Sequence, residues 1–242
     1  MRKFFIAISF FTRIPIYIQS EIKEDEFYAS MDLLPMVGLV IGGILYILWY
    51  ILMDVPKDIV SFLLVFIYIF LTGGLHIDGF IDTLDGILSN RNQERVLEIM
   101  KDSRIGSFGA LGLILLILGY FIIFQHIRGV ELLLMPMVGR SCVFVTASFS
   151  DYARKEGGLG KTFIENVGKK KMIMSLIFSF LVIWFINYVY LLSFLICILL
   201  SIYLISFFKK KLGGMTGDTM GMVIELNQII FLLSSYFVLF FK

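Results

Sequence analysis

"IVSFLLVFIYIFLTGGLHIDGFIDTLDG", residues 59–86, runs from an unbroken apolar stretch through two glycines into a cluster of acids. Ile59 to about Leu75 is long enough to cross a bilayer as a helix, which takes about 20 residues, or as few as 17. The rest of the chain repeats this pattern. Of its 242 residues, 59% are hydrophobic, and the mean hydropathy is +0.91. Soluble domains run nearer about 45–50% apolar even when glycine is counted, so the composition predicts a polytopic membrane protein. Seven apolar stretches are expected to span: about Leu33–Met53, Ile59–Leu75, Ile105–Phe124, Val130–Phe149, 172–186, 189–208 and Thr219–Phe241. No Pro/Gly/Ser linker divides the chain and no internal repeat is seen, so residues 1–242 are expected to form one all-α transmembrane bundle.

Lysines and arginines alternate between these stretches. From the N-terminal segment onward the connections carry four, one, four, one, six, none, three and one. Basic residues concentrate on the cytoplasmic side, which predicts a cytoplasmic N-terminus and an external C-terminus. The run Phe4–Phe11 is short and no small-residue cleavage site follows, so an interfacial segment is expected rather than a removable signal peptide. Cys142 and Cys197 fall inside apolar runs and are read as inert thiols. The net charge of +2 gives no case for nucleic acid.

The acids after the second stretch need a reason. As a helix, residues 76–86 place Asp82 and Asp85 within roughly 40° of Asp78, at about 100° per residue. Three like charges on one face repel unless a cation joins them. Hard oxygen ligands without thiolates favour Mg²⁺, Mn²⁺ or Ca²⁺ over zinc. His76 beside them reads as a hydrogen-bond or phosphate contact.

Three further motifs lie on the same predicted side. "EIMKDSRIGSFGALG" (98–112) sets Lys101, Asp102 and Arg104 before a small-residue turn that opens a span, a corner suited to phosphate. "SFSDYARKEGGLGKTF" (148–163) carries Asp151, Arg154 and Lys155, followed by a glycine-rich loop. "KKKLGGMTGDTMGMVIELNQ" (209–228) puts Asp218 at the start of the last span. Glu225 lies about two turns deeper, where a carboxylate requires a partner. Arg140, the one basic residue inside a span, is the candidate. Acids for a divalent metal and bases for phosphate describe group transfer from a diphosphate donor.

These motifs together resemble the cobalamin synthase family, the adenosylcobinamide-GDP ribazoletransferases. The matching stretches are "FFTRIP", "GGLHIDGFIDTLDG", "EIMKDSRIGSFGALGL", "DYARKEGGLG" and "GGMTGDTMG". They occur in family order over nearly the whole chain. The resemblance implies a Mg²⁺-dependent phosphotransferase in the cytoplasmic membrane, its active site facing the cytoplasm. Its donor would be adenosylcobinamide-GDP and its acceptor α-ribazole or the 5′-phosphate, in a late step of cobalamin biosynthesis. On this reading Asp78, Asp82 and Asp85 hold metal. Asp82, Asp102 and Asp218 are catalytic, and His76, Lys101, Arg104 and Arg154 bind substrate. Besides the substrates, the bilayer is the expected partner, with a second copy or other pathway enzymes as further candidates. Two rivals are weaker. A CDP-alcohol phosphatidyltransferase would show Ala-Arg and two trailing aspartates that "DGFIDTLDG" lacks. A cation- or proton-coupled transporter would carry its acids near mid-membrane.

Overall fold

The computed structural model describes residues 1–241. Its helices are α1 (Arg2–Phe11), α2 (Glu24–Met31), α3 (Leu34–Ile51), α4 (Lys57–Thr72), α5 (Leu75–Leu88), α6 (Gln93–Ile99), α7 (Ser107–Phe124), α8 (Val130–Ser148), α9 (Leu159–Asn187), α10 (Leu191–Leu212) and α11 (Gly217–Phe240). A single 3₁₀ turn, Tyr188–Tyr190, joins α9 to α10. Among the described residues there is no β-strand beyond one bridge between Tyr152 and Met215. Five helical stretches are long and apolar enough to cross a membrane, six if the bent pair α4–α5 counts as one. One of the five, Leu159–Leu212, contains the turn at 188–190.

α8 is the axle. Along its apolar stretch 89% of it is buried, whereas the other candidate spans are 33–44% buried. Those outer helices show large apolar side chains to their surroundings. Phe62, Phe66 and Phe70 form an i, i+4, i+8 stripe on α4, each about 60% exposed. A soluble protein keeps such apolar patches small; facing lipid, they carry no penalty.

The connections gather at two ends. At one end Tyr190 donates to Glu131 at 2.9 Å, His126 packs edge-on against Tyr236, and Trp49 lies over Gly129. At the other, Arg13 N–H bonds the carbonyl of Leu71, Gln93 reaches the carbonyl of Leu212, Ser148 bonds Gly168, and Tyr152 bridges Met215. The chain therefore runs from one end to the other and back along α8, α9 and α10, reversing at 188–190. Ser141 and Ser179, 2.6 Å apart, tie α9 to the middle of α8.

α5 breaks this alternation. Gly73 and Gly74 both adopt left-handed φ, +61° and +71°, a region glycine enters without a Cβ clash. They end α4 and turn the chain by 91°. α5 thus runs across the end of the bundle and not through it. It crosses the first turns of α11, where a Cβ on Gly79 would stand 2.7 Å from the carbonyl oxygen of Asp218 and one on Gly221 would stand 2.8 Å from that of His76. Two glycines at one crossing let the backbones touch.

Residues 159–167, expected as loop, are helical. Phe163, Ile164 and Val167 are buried at helical spacing, and this packing outweighs the preceding glycines. The break falls later, at Gly168, whose φ of 52° and ψ of 165° kink α9.

Candidate functional site

Local pairing builds the mouth of the bundle. Thr216 caps α11: its hydroxyl accepts from Thr219 N–H, and Thr219 returns a bond to Thr216 N–H at 2.8 Å. This fixes Asp218 in the first turn. Just before it, Met215 exchanges two 2.8 Å backbone bonds with residues 151 and 153. That short pairing brings the 149–158 loop alongside, and Arg154 donates to Asp218 at 2.5 Å with both side chains largely buried.

α5 supplies the other acids. Asp78 and Asp82 act electrostatically on one another and on Asp218. Burial first, then Asp78, Asp218 and Asp85, push the Asp82 carboxyl up to about 7, with Arg154 opposing. Crowded carboxylates in this state bind cations. Among the described residues no three His, Cys, Asp or Glu side chains lie close enough to enclose a metal by themselves. At most two of these acids could therefore share one metal ion, with water and substrate oxygens completing its shell.

The structure turns Asp85 to other work. It is buried, and its carboxylate accepts from Gly106 N–H at 2.7 Å and Gly109 N–H at 2.8 Å. α7 begins at a glycine with no side-chain cap of its own, so Asp85 satisfies those orphan donors from a neighbouring helix. Asp85→Ala is accordingly expected to cost about 1–3 kcal/mol of stability, as buried N–H groups lose their acceptor. Thermal unfolding in detergent will show this, and affinity for divalent metal should change little. A loss of metal binding with unchanged stability would return Asp85 to the metal.

The 100–106 connection forms the rim. Arg104 binds Asp102 through paired contacts of 2.6 and 3.0 Å, and these hold the exposed Asp102 carboxyl down at about 2. Lys101 pairs with Glu156 of the facing loop. Asp102 is not among the charges that shift Asp82, so it stands apart from the central acids.

His76 is buried, and its Nε2 has no partner. Burial and the nearby Arg140 charge drive its pKa well down, so the ring is neutral. Glu225 is paired, though not as expected: Tyr68 and Tyr120 donate to its two oxygens at 2.6 and 2.7 Å. No direct ion pair joins it to Arg140 among the described residues, and Arg140 donates to the carbonyl of Pro136.

Two hollows meet at Asp78. One, about 510 Å³, is lined by Arg13, Thr72, Gly73 and Gly74. Arg13 sits in the "FFTRIP" motif, and no local pattern in the sequence points it to this hollow. The other, about 230 Å³, is mostly apolar and also touches Asp218 and His76.

Residues 3–236 match the family described as Cobalamin-5-phosphate synthase, CobS. The chain belongs to the CobS family. Relatives agree over full length. The protein named adenosylcobinamide-GDP ribazoletransferase in Clostridium acetobutylicum is 40% identical over 250 residues, covering 100% of this chain and 98% of its own. The like-named protein of Acetivibrio thermocellus is 40% identical over 242 residues, 98% of each chain. No solved structure matches. The CobS match takes in every residue of the mouth, from Arg13 to Asp218.

Proposed function

We propose that this chain transfers the adenosylcobinamide phosphate group of adenosylcobinamide-GDP to α-ribazole or its 5′-phosphate, giving adenosylcobalamin or its 5′-phosphate and GMP. The observation that carries the reading is the convergence of Asp78, Asp82 and Asp218 with Arg154 at one mouth, in a chain of the CobS family. A ribose hydroxyl of the acceptor attacks the phosphorus next to cobinamide. A new O–P bond forms, the bond to the GMP oxygen breaks, and the hydroxyl proton passes to a carboxylate. Mg²⁺, held through Asp78 and Asp82 with water and substrate completing its shell, would neutralise charge on the diphosphate. Arg154 orients phosphate, and it can do so by releasing Asp218. Lys101 and Arg104, each paired with an acid in the free protein, would exchange that acid for substrate oxygens. Arg13 holds the outer phosphate from the polar hollow.

Seven passes with the N-terminus and the acids of the mouth in the cytoplasm suit this chemistry. The Lys/Arg alternation supports it, as does the packing of α9 and α10 in opposite directions beside α8. The enzyme then works at the cytoplasmic face of the cell membrane.

Protein in lipid vesicles given Mg²⁺, adenosylcobinamide-GDP and α-ribazole is expected to release GMP. Absence of GMP, or phosphatidyl transfer from a CDP-lipid instead, overturns the reading. A second measurement tests the metal. Asp82 titrates near 7 without metal and must lose its proton to bind one. Mn²⁺ affinity, followed by paramagnetic resonance, should therefore rise about tenfold per pH unit up to about 7 and level off above it. The folded protein prefers the protonated acid, so in the absence of metal its stability falls as pH rises from the ordinary carboxylate range through 7. An affinity that is flat across this window removes Asp82 from the metal.

A further inference from the structure

We propose that the apolar hollow beside Asp78 and Asp218 is the subsite for the aromatic base of the acceptor nucleoside. This rests on the transferase reading and adds to it where the acceptor lies and what selects it.

The hollow is walled by Phe10, Phe11, Met31, Leu34 and Phe163, and Asp78 and Asp218 also line it. At about 230 Å³ it falls below the ~300–1,000 Å³ of cavities that enclose drug-sized ligands. It has room for one flat bicycle and none for a corrinoid. Guanine, the other base in the reaction, carries exocyclic donors and acceptors that these walls would leave unpaired, which is costly on burial. The base of α-ribazole is a dimethylbenzimidazole. It is apolar at its edge and has a single free ring nitrogen. A base seated here hands its ribose towards Asp78 and Asp218, where the attacking hydroxyl is needed. An acyl chain would fill the same walls but has no group to offer those acids.

Two details point to a ligand. His76 lines the hollow, is 7% exposed, and its imidazole makes no hydrogen bond among the described residues. One imidazole N–H matches the one free ring nitrogen of the base. Gly217 also lines it, and a Cβ built there meets nothing within 4 Å. A side chain at 217 would grow into open space without forcing the helices apart.

Gly217→Ala and Gly217→Leu, with His76→Phe, test this in the full chain in lipid. KM is measured separately for adenosylcobinamide-GDP, for α-ribazole and for an α-linked imidazole riboside. Gly217→Leu is expected to raise KM for α-ribazole by about tenfold or more, the scale of misfit in an apolar pocket. KM for the donor should stay within about twofold, and preference should move towards the smaller imidazole base. Gly217→Ala should show the same trend in smaller measure and serves if the leucine variant does not fold. His76→Phe should raise the α-ribazole KM while keeping the hollow's shape. An unchanged α-ribazole KM, an equal rise for donor and acceptor, or a change in lipid dependence alone overturns the subsite. If the unmodified protein releases no GMP, the transferase reading fails and the subsite falls with it. GMP release without the KM split sinks only the subsite.

Discussion

Asp82→Asn is expected to lower kcat by roughly 10²–10⁴-fold, the scale of losing a positioned acid–base or charge-bearing group. The change is nearly isosteric, and Asp82 makes no hydrogen bond in the free protein among the described residues, so folding should survive it. The substitution removes a charge that burial first and the crowded acids second disfavour, and the variant should be as stable as its parent or more so. Lost turnover combined with undiminished thermal stability separates a functional acid from a structural one. The measurement is GMP release beside a melting curve in the same detergent. Near-normal turnover would take Asp82 out of the chemistry, and lost turnover with a large drop in melting temperature would make it a structural residue. Asp78→Asn offers the matching comparison from one helical turn away.

The largest effect on stability is expected at Glu225. It is fully buried on α11, two turns below the mouth, and receives both tyrosine hydroxyls. Gln228 adds a bond to Tyr68 at 2.7 Å. Glu225→Ala would take the carboxylate acceptor from two buried hydroxyls and remove a negative charge that acts on Arg140. Breaking a buried charged set by removing one partner costs about 3–5 kcal/mol. Glu225→Gln keeps a carbonyl acceptor and should cost less. The ranking of the two variants by chemical or thermal unfolding is the check, and an alanine variant as stable as the parent would show that the network carries no weight.

Much of this fold was legible because lipid enforces a simple pattern. All seven apolar stretches became helices, and the family motifs converge on one mouth. The differences at Asp85 and Glu225 share a cause. Spacing correctly put Asp78, Asp82 and Asp85 on a shared helix, but which acid meets which neighbour depends on the helices crossing α5. α11 passes beside Asp78 and α7 beside Asp85, and no local signal distinguishes them. The partners of Glu225 were likewise missed. Tyr68 lies 157 residues away in the chain, and inside apolar runs Tyr68 and Tyr120 count as hydrophobic bulk. Arg140 is the conspicuous charge in the sequence, yet a hydroxyl needs less desolvation than a guanidinium to reach a buried carboxylate. Arg13 was hidden for a different reason. It is brought to Asp78 by a backbone bond between the first segment and the end of α4, a contact that hydropathy does not encode.

The buried axle bears on how the protein is made. α8 has the lowest mean hydropathy of the candidate spans, 1.5 against 1.8–2.7 for the others, and it carries Glu131, Arg140 and Pro136. It also leaves the ribosome before α9, α10 and α11, which later cover most of its circumference. During synthesis α3 is the main surface ready to receive it. The nascent α8 therefore has to be sheltered from lipid, against α3 or at the insertion machinery, until the three following helices are threaded around it. Biogenesis of this enzyme is then most exposed to error between the making of α8 and that of α11.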